Sequence, residues 1–403
     1  MIFIFYFFAA VLVWLSFNSF RGGIAYLRFF RSELEKKRSD FTPFASIISP
    51  CKGLDEDLKR NLAALTEQDY PAYEIIFVVD SKDDPAVAVI NEVIETVNDR
   101  VGVSAKMVNA PKAVRCAQKI ANLREAVLHI DASSQAFVFV DSDARPSPDW
   151  LRTLVAPLAD EHIGAATGYR WFFSRNPTFG SELRSAWNAS IASALGPDRS
   201  SNFCWGGSTA IRRDVFERIG MRDRWIGTLS DDFAVTDALK DAGLPIVFVP
   251  QALTASVEDC TFRQMLEFTT RQMKITRVGA TKLWVISFLG SALFNSVMIA
   301  AFLIVLLSRS NDLAVATAIT TLVVVSVFSI GKSWLRLNAV HLVLTRYTFE
   351  ISRQFWTQNT LWLISPAIFF YNCLAASASR RVTWRGITYE LKSPTETVII
   401  STE

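Results

Sequence analysis

Three acidic segments carry the chemistry that this sequence offers. Asp141-Ser142-Asp143 follows the apolar run Ala136 to Val140. Two carboxylates at i and i+2, pinned where a strand ends, suit a small hard cation such as Mg2+ or Mn2+. A cation held there bridges the two phosphates of a nucleoside diphosphate and neutralises charge on a departing leaving group. The same triplet also reads as a strand-end turn in which Asp caps the local backbone. Asp80 closes a second apolar run, Ile75 to Val79, and heads a polar loop with Ser81, Lys82, Asp83 and Asp84. A carboxylate in that place either accepts the imide N–H of uracil or belongs simply to the loop. Ser230-Asp231-Asp232 opens a helical stretch after a glycine-containing loop. It reads either as a helix N-cap, which needs one acidic group, or as a general base for an acceptor hydroxyl.

Two further clusters have paired readings. Arg271-Gln272-Met273-Lys274, with Thr276-Arg277, is either an interfacial basic cluster or a clamp for a diphosphate. Gly206-Gly207-Ser208-Thr209 is either a loop passing close to a ligand or a turn before a strand. No G-x-G-x-x-G follows a strand, and neither a Walker A loop nor G-x-S-x-G is present.

The elements that position these residues alternate. Strand-like runs at Ala45 to Ile48, Glu74 to Val79, Ala136 to Val140 and Ile246 to Val249 interleave with helical stretches. The helices fall at Asp55 to Gln68, Pro85 to Asp99, Lys119 to His129, Asp214 to Ile219 and Asp232 to Ala242. Such alternation predicts a parallel sheet covered on both faces, with ligands at the carboxyl edge of its strands. The acidic segments lie at that edge or at a helix start.

The remainder of the chain is apolar. Half of the residues are hydrophobic, with 30 Phe and 11 Trp, and the mean hydropathy is +0.24. The net charge of +3 gives no general case for nucleic acid. Five scattered cysteines, with no C-x-x-C, exclude a zinc knuckle and fit a reducing compartment. Three histidines are too few for a His-rich metal site, so a metal would rest on carboxylates.

Residues 1–20 lack charged side chains and predict an uncleaved membrane anchor. Arg21, Arg28, Arg31, Lys36, Lys37 and Arg38 follow, which puts that side in the cytoplasm. Residues 40–257 form the expected catalytic domain and 258–282 an interfacial amphipathic helix. Residues 283–378 form a membrane region with spans at 283–307 and 313–331, joined by the turn Ser308 to Asp312. A stretch at 360–378 either spans or bends back near Pro366. Residues 379–403 are left as a cytosolic tail.

Taken together, these blocks resemble the family 2 type of glycosyltransferase, with a GT-A fold, and more closely the ceramide glucosyltransferase family, family 21. The resemblance runs from about Ile47 to Lys392. It is carried by Pro50-Cys51-Lys52-Gly53, Asn61-Leu62, Asp69-Tyr70-Pro71, Asp83-Asp84-Pro85-Ala86 and Lys119-Ile120-Ala121-Asn122-Leu123. Asp141-Ser142, Ser230-Asp231-Asp232 and Thr383-Trp384-Arg385-Gly386, with Tyr389 and Leu391, complete it.

The resemblance implies an α/β GT-A domain between membrane helices. It implies an inverting transfer of a hexose, glucose by family default, from a UDP-sugar to a lipid such as ceramide. Asp80, with Asp83 as a rival, would contact uridine. Asp141 and Asp143 would hold Mg2+ or Mn2+ and the diphosphate, Arg271 and Lys274 would meet the diphosphate, and Asp232 would be the base. Asp231, Trp205, Trp384 and Arg385 would support donor or acceptor. The family's Arg-x-x-Arg-Trp motif is altered here: Lys274 replaces the second Arg and Ile275 the Trp, so a ring such as Trp205, Trp225 or Trp384 would have to compensate. Diacylglycerol or a polyprenyl phosphate as acceptor, or a polysaccharide synthase, are the alternatives.

Overall fold

Fully apolar strand runs need cover on both faces, and in the computed structural model they obtain it in one seven-stranded sheet. Residues 2–37, 39–308 and 311–402 are described. Arg38 and part of the turn at 308–312 therefore lie outside the described residues. Two compact units emerge: one comprises Glu33–Asn176, Ala194–Asp259 and Arg380–Glu403, the other Met1–Ser32, Pro177–Ser193 and Cys260–Ser379.

In the first unit the strands are β1 (Ala45–Pro50), β2 (Tyr73–Val79), β3 (Val103–Asn109), β4 (Ala136–Phe139), β5 (Ala165–Thr167), β6 (Arg170–Phe173), β7 (Thr209–Arg212), β8 (Ile246–Phe248) and β9 (Thr254–Val257). The main sheet has the order β3-β2-β1-β4-β7-β5-β8. Its pairs are parallel except at β7, which runs antiparallel to both β4 and β5. This is the mostly parallel α/β class that the sequence leads one to expect. Strands β6 and β9 form a separate parallel pair. The helices Leu58–Thr66, Ala86–Glu95, Gln118–Ala126 and Asp231–Asp241 alternate with the strands. Phe137, Phe139, Phe216 and Trp225 pack edge to face beneath the sheet's central strands. Trp225 is fully buried there, so it is a core residue and no platform for a sugar ring.

The segment after residue 379 is no loose tail. It folds into the antiparallel strands β10 (Arg381–Trp384), β11 (Ile387–Ser393) and β12 (Glu396–Thr402) within the same unit. Trp384 pairs with Ile387, leaving Arg385-Gly386 as a two-residue turn with φ of 51° and 75°. That is the primed geometry that matches hairpin twist. Arginine rarely adopts positive φ.

In the helical unit, Ile2–Glu35 forms one helix that continues well past Phe20. With Thr281–Leu307 and Asp312–His341 it makes three helices long and apolar enough to cross a membrane. Phe5, Ala9 and Leu12 pack against Val297, Met298, Ala301, Ala318 and Val325. The segments Phe355–Leu363 and Ser365–Ala378 meet at a 56° bend and would make a fourth span if taken as one. Pro366 lies in the first turn of the later helix, where its missing N–H costs nothing, so the chain bends just before it. The helix Phe179–Ala192 also belongs to this unit, with Trp187 stacked on Phe369 at 4.9 Å.

Candidate active site

The site lies at the carboxyl edge of the sheet, where β1 has β2 on one side and β4 on the other. Asp80 follows β2 directly, and its side chain is almost fully buried. Lys52 and Lys112 both bond its Oδ2, at 2.9 and 3.0 Å. Burial alone would raise the Asp80 pKa, but the two ammonium groups outweigh it and hold it below the usual carboxylate value. The rival Asp83 is exposed in the following loop.

Asp141 and Asp143 follow β4 and have different surroundings. Asp141 pairs with Lys119 at 2.7 Å. Burial pushes its pKa up, but Lys119, helped by Arg170 and Arg385, brings it below normal. Asp143 meets Arg170 at 3.2 Å through Oδ2, while its Oδ1 is buried without a hydrogen-bond partner. Burial, then the charge of Glu258, raises the Asp143 pKa well above the carboxylate range, with Asp141 and Asp55 adding to it. Between them, Ser142 Oγ donates to Asp55 at 2.7 Å, and the Ser142 carbonyl accepts from Asn61. Asp55 in turn binds Arg385. The strained Arg385-Gly386 turn thus delivers a guanidinium to the edge.

A divalent cation fits this arrangement. The orphaned Asp143 Oδ1 is an unused ligand atom in a crowd of carboxylates, and a cation would relieve both defects. Among the described residues no three metal-binding side chains converge. Mg2+ commonly takes one or two carboxylates and completes its shell with phosphate and water.

Asp231 and Asp232 begin the helix Asp231–Asp241. Asp231 is buried and pairs with the same Lys119 at 2.9 Å. Burial raises its pKa, against Lys119 and with Asp232 and Asp141. Asp232 is half-buried. Its Oδ1 accepts from Ser230 Oγ and from the Phe233 N–H, at 2.8 Å for the latter. Neither aspartate is a conventional side-chain cap, since Ser230 occupies the N-cap without a capping bond.

Glycines keep this edge open. Thr209 of β7 lies opposite Phe139 of β4, which places the preceding turn beside Asp141. A Cβ at Gly206 would fall 2.1 Å from Asp231 Oδ2. One at Gly207 would collide with the Trp205 ring at 2.3 Å and approach Asp141 Oδ2 at 2.8 Å. The segment is a turn before a strand, and it passes against Asp141 and Asp231. Trp205 itself is 6% exposed and backs Arg170, whose guanidinium lies 5.2 Å from its ring. Trp384 is half-buried at the end of β10.

Asp80, Asp141, Asp143, Asp231, Asp232, Trp205, Trp384 and Arg385 therefore share one unit. Arg271 and Lys274 lie in the helical unit, on Phe262–Gly279, a helix started by a Thr261–Gln264 capping box. Sequence reasoning did not single out Lys119, Asp55, Arg170 or Glu258 as site residues. For Lys119 a signal existed, since it heads a block shared with known transferases. Arg170 had none beyond being a lone charge in the apolar run Tyr169 to Phe173.

The sequence profile described as glycosyl transferase family 21 matches residues 8–397. The chain belongs to this family. Family 21 membership makes it a glycosyltransferase. Among solved structures, the chain is similar to a mannosyltransferase from Pyrobaculum calidifontis in complex with GDP-Man and Mn2+. That match has 18% identity and a TM-score of 0.44, covering 90% of this chain and 99% of that one. It is also similar to GalNAc-T7 with UDP, GalNAc and Mn2+, at 16% identity and a TM-score of 0.41, covering 55% of this chain and 44% of that one. A mycobacterial protein follows at 14% identity and a TM-score of 0.39, covering 62% of this chain and 76% of that one.

Proposed function

We propose that this family 21 transferase moves a hexose, glucose by family default, from a UDP-sugar to the hydroxyl of a membrane lipid such as ceramide, with inversion. The observation that carries the reading is the shared edge: Asp80, held by Lys52, the Asp141/Asp143 pair and Asp231/Asp232 stand at strand and helix ends, with Lys119 joining Asp141 to Asp231. Asp80 binds uracil. Both of its lysines use Oδ2, which leaves Oδ1 to accept the imide N–H.

Asp141 and Asp143 hold Mg2+ or Mn2+. The bound cation supplies Lewis acidity to the diphosphate. Lys119, Arg170 and Arg385 surround the same carboxylates and add positive charge where the leaving group gathers negative charge. Asp232 is the base. Its Oδ1 is fixed by Ser230 and the Phe233 N–H, which presents Oδ2 to the acceptor. The acceptor O–H gives its proton to Asp232 as its oxygen bonds the anomeric carbon. The bond from that carbon to the diphosphate breaks, and UDP departs with the electron pair. Asp231, locked to Lys119, positions rather than reacts.

The apolar helices keep a lipid acceptor in the bilayer, and the basic residues after Phe20 favour a catalytic domain facing the cytoplasm. The test is lipid analysis of a host expressing the chain, supplied in turn with labelled UDP-sugars. A single labelled glycolipid is expected. A labelled polymer, or label on no lipid, overturns the reading.

A further inference from the structure

We infer that Arg336, with Lys332 one turn before it, forms a binding site for the phosphodiester of an anionic membrane lipid. Arg336 lies on Asp312–His341 and is only 6% exposed. Its Nη1 and Nη2 reach Ser193 Oγ and Gln358 Oε1, both at 3.4 Å, and its Nε is buried without a hydrogen-bond partner. No carboxylate pairs with it among the described residues. Lys332 lies on the same face four residues earlier, and its ammonium bonds another neutral oxygen, Ser19 Oγ, at 2.8 Å. The first helix approaches closely here: a Cβ at Gly23 would lie 3.3 Å from Lys332.

Two cations four residues apart on a helix repel. A buried charge without a counter-ion is costly, and ionisable groups within membrane helices generally mark a site. Ser193 caps the helix Phe179–Ala192. The carboxyl end of that helix carries about half an elementary charge, less than two cations require. The missing partner is an anion, and a guanidinium with free N–H donors matches a phosphate better than any neutral group. Depth points to a lipid. Ser19 ends the uncharged stretch of the first helix, and Lys332 directly follows the uncharged residues 313–331. Both cations thus lie where an apolar stretch gives way to polar chain, the level of lipid headgroups.

The full-length protein, stripped of lipid in neutral detergent, is melted with phosphatidylglycerol, phosphatidylcholine or inorganic phosphate. Phosphatidylglycerol should raise the midpoint by several degrees, and the other two by far less. Arg336→Gln should abolish that rise and Lys332→Gln should reduce it. An equal rise in Arg336→Gln overturns the site, and an equal rise with inorganic phosphate overturns the lipid as its source. If Arg336→Gln does not fold, Arg336→Lys keeps the charge and loses the fork. Its affinity for phosphatidylglycerol should then fall roughly tenfold, and unchanged affinity overturns the assignment.

Discussion

At the sheet edge, Lys119 stands between Asp141 and Asp231 at 2.7 and 2.9 Å. In the helical unit, Arg336 finds only Ser193 and Gln358 among the described residues, at 3.4 Å each. Both sites bury a cation, but Lys119 lies between carboxylates and Arg336 beside one amide and one hydroxyl oxygen. Under the proposed function, a ligand bringing cation and phosphates would take over Asp141 and Asp143 while Lys119 keeps Asp231. Among the described residues no carboxylate pairs with Arg336, and the proposed partner comes from outside the chain.

The contrast breaks most readily at the reacting groups. Asp232→Asn should lower sugar transfer by about 10²–10⁴-fold, the usual contribution of a general base. UDP-sugar binding should stay near wild type, read by labelled donor retention beside product formation. Unchanged transfer would move the base elsewhere. Next comes the metal: chelation, or Asp143→Asn, should cost on the order of 10²-fold, with added Mn2+ or Mg2+ restoring the chelated wild type and not the variant. Lys119→Met should lower stability by about 3 kcal/mol, because it strands the buried Asp231 and the half-buried Asp141. A thermal melt reads this, and an unchanged midpoint would show that the pairings are dispensable. The smallest effect concerns pH. Asp57 is held near a pKa of about 2, first by Arg175 and also by Arg145, against burial. A depressed carboxylate contributes stability above its unfolded pKa and loses it as pH falls toward the folded value. Wild type should therefore lose melting temperature between about pH 4 and 2 more steeply than Asp57→Asn.

Much of the edge was legible because it is local. Apolar runs that stop at Asp80 and Asp141 give both the strand and the place where it ends. The structure adds β3, β5, β6, β7 and β9, short or mixed in pattern, which single windows do not separate from loops. The partners were hidden by chain distance. Arg385 reaches Asp55 across 330 positions, and no spacing rule links them. The helices long and apolar enough to cross a membrane were legible from hydropathy, whereas Phe179–Ala192 carries Glu182, Arg184 and Asn188 and looks like a soluble helix. Its polar side chains are buried all the same: Glu182 accepts from Thr357 at 2.6 Å, and Ser185 accepts from Gln354 and Gln358.

The Arg385-Gly386 turn has a consequence in time. After the first helix the ribosome makes β1 to β9, then the helical segment Cys260–Ser379, and only then the hairpin that brings Arg385 to Asp55. Domains tend to fold as they emerge, yet this one lacks its last cation until the helices between have been synthesised and inserted. If the proposed function holds, a chain stalled before residue 385 would lack one of the cations beside Asp141 and would remain inert toward the donor.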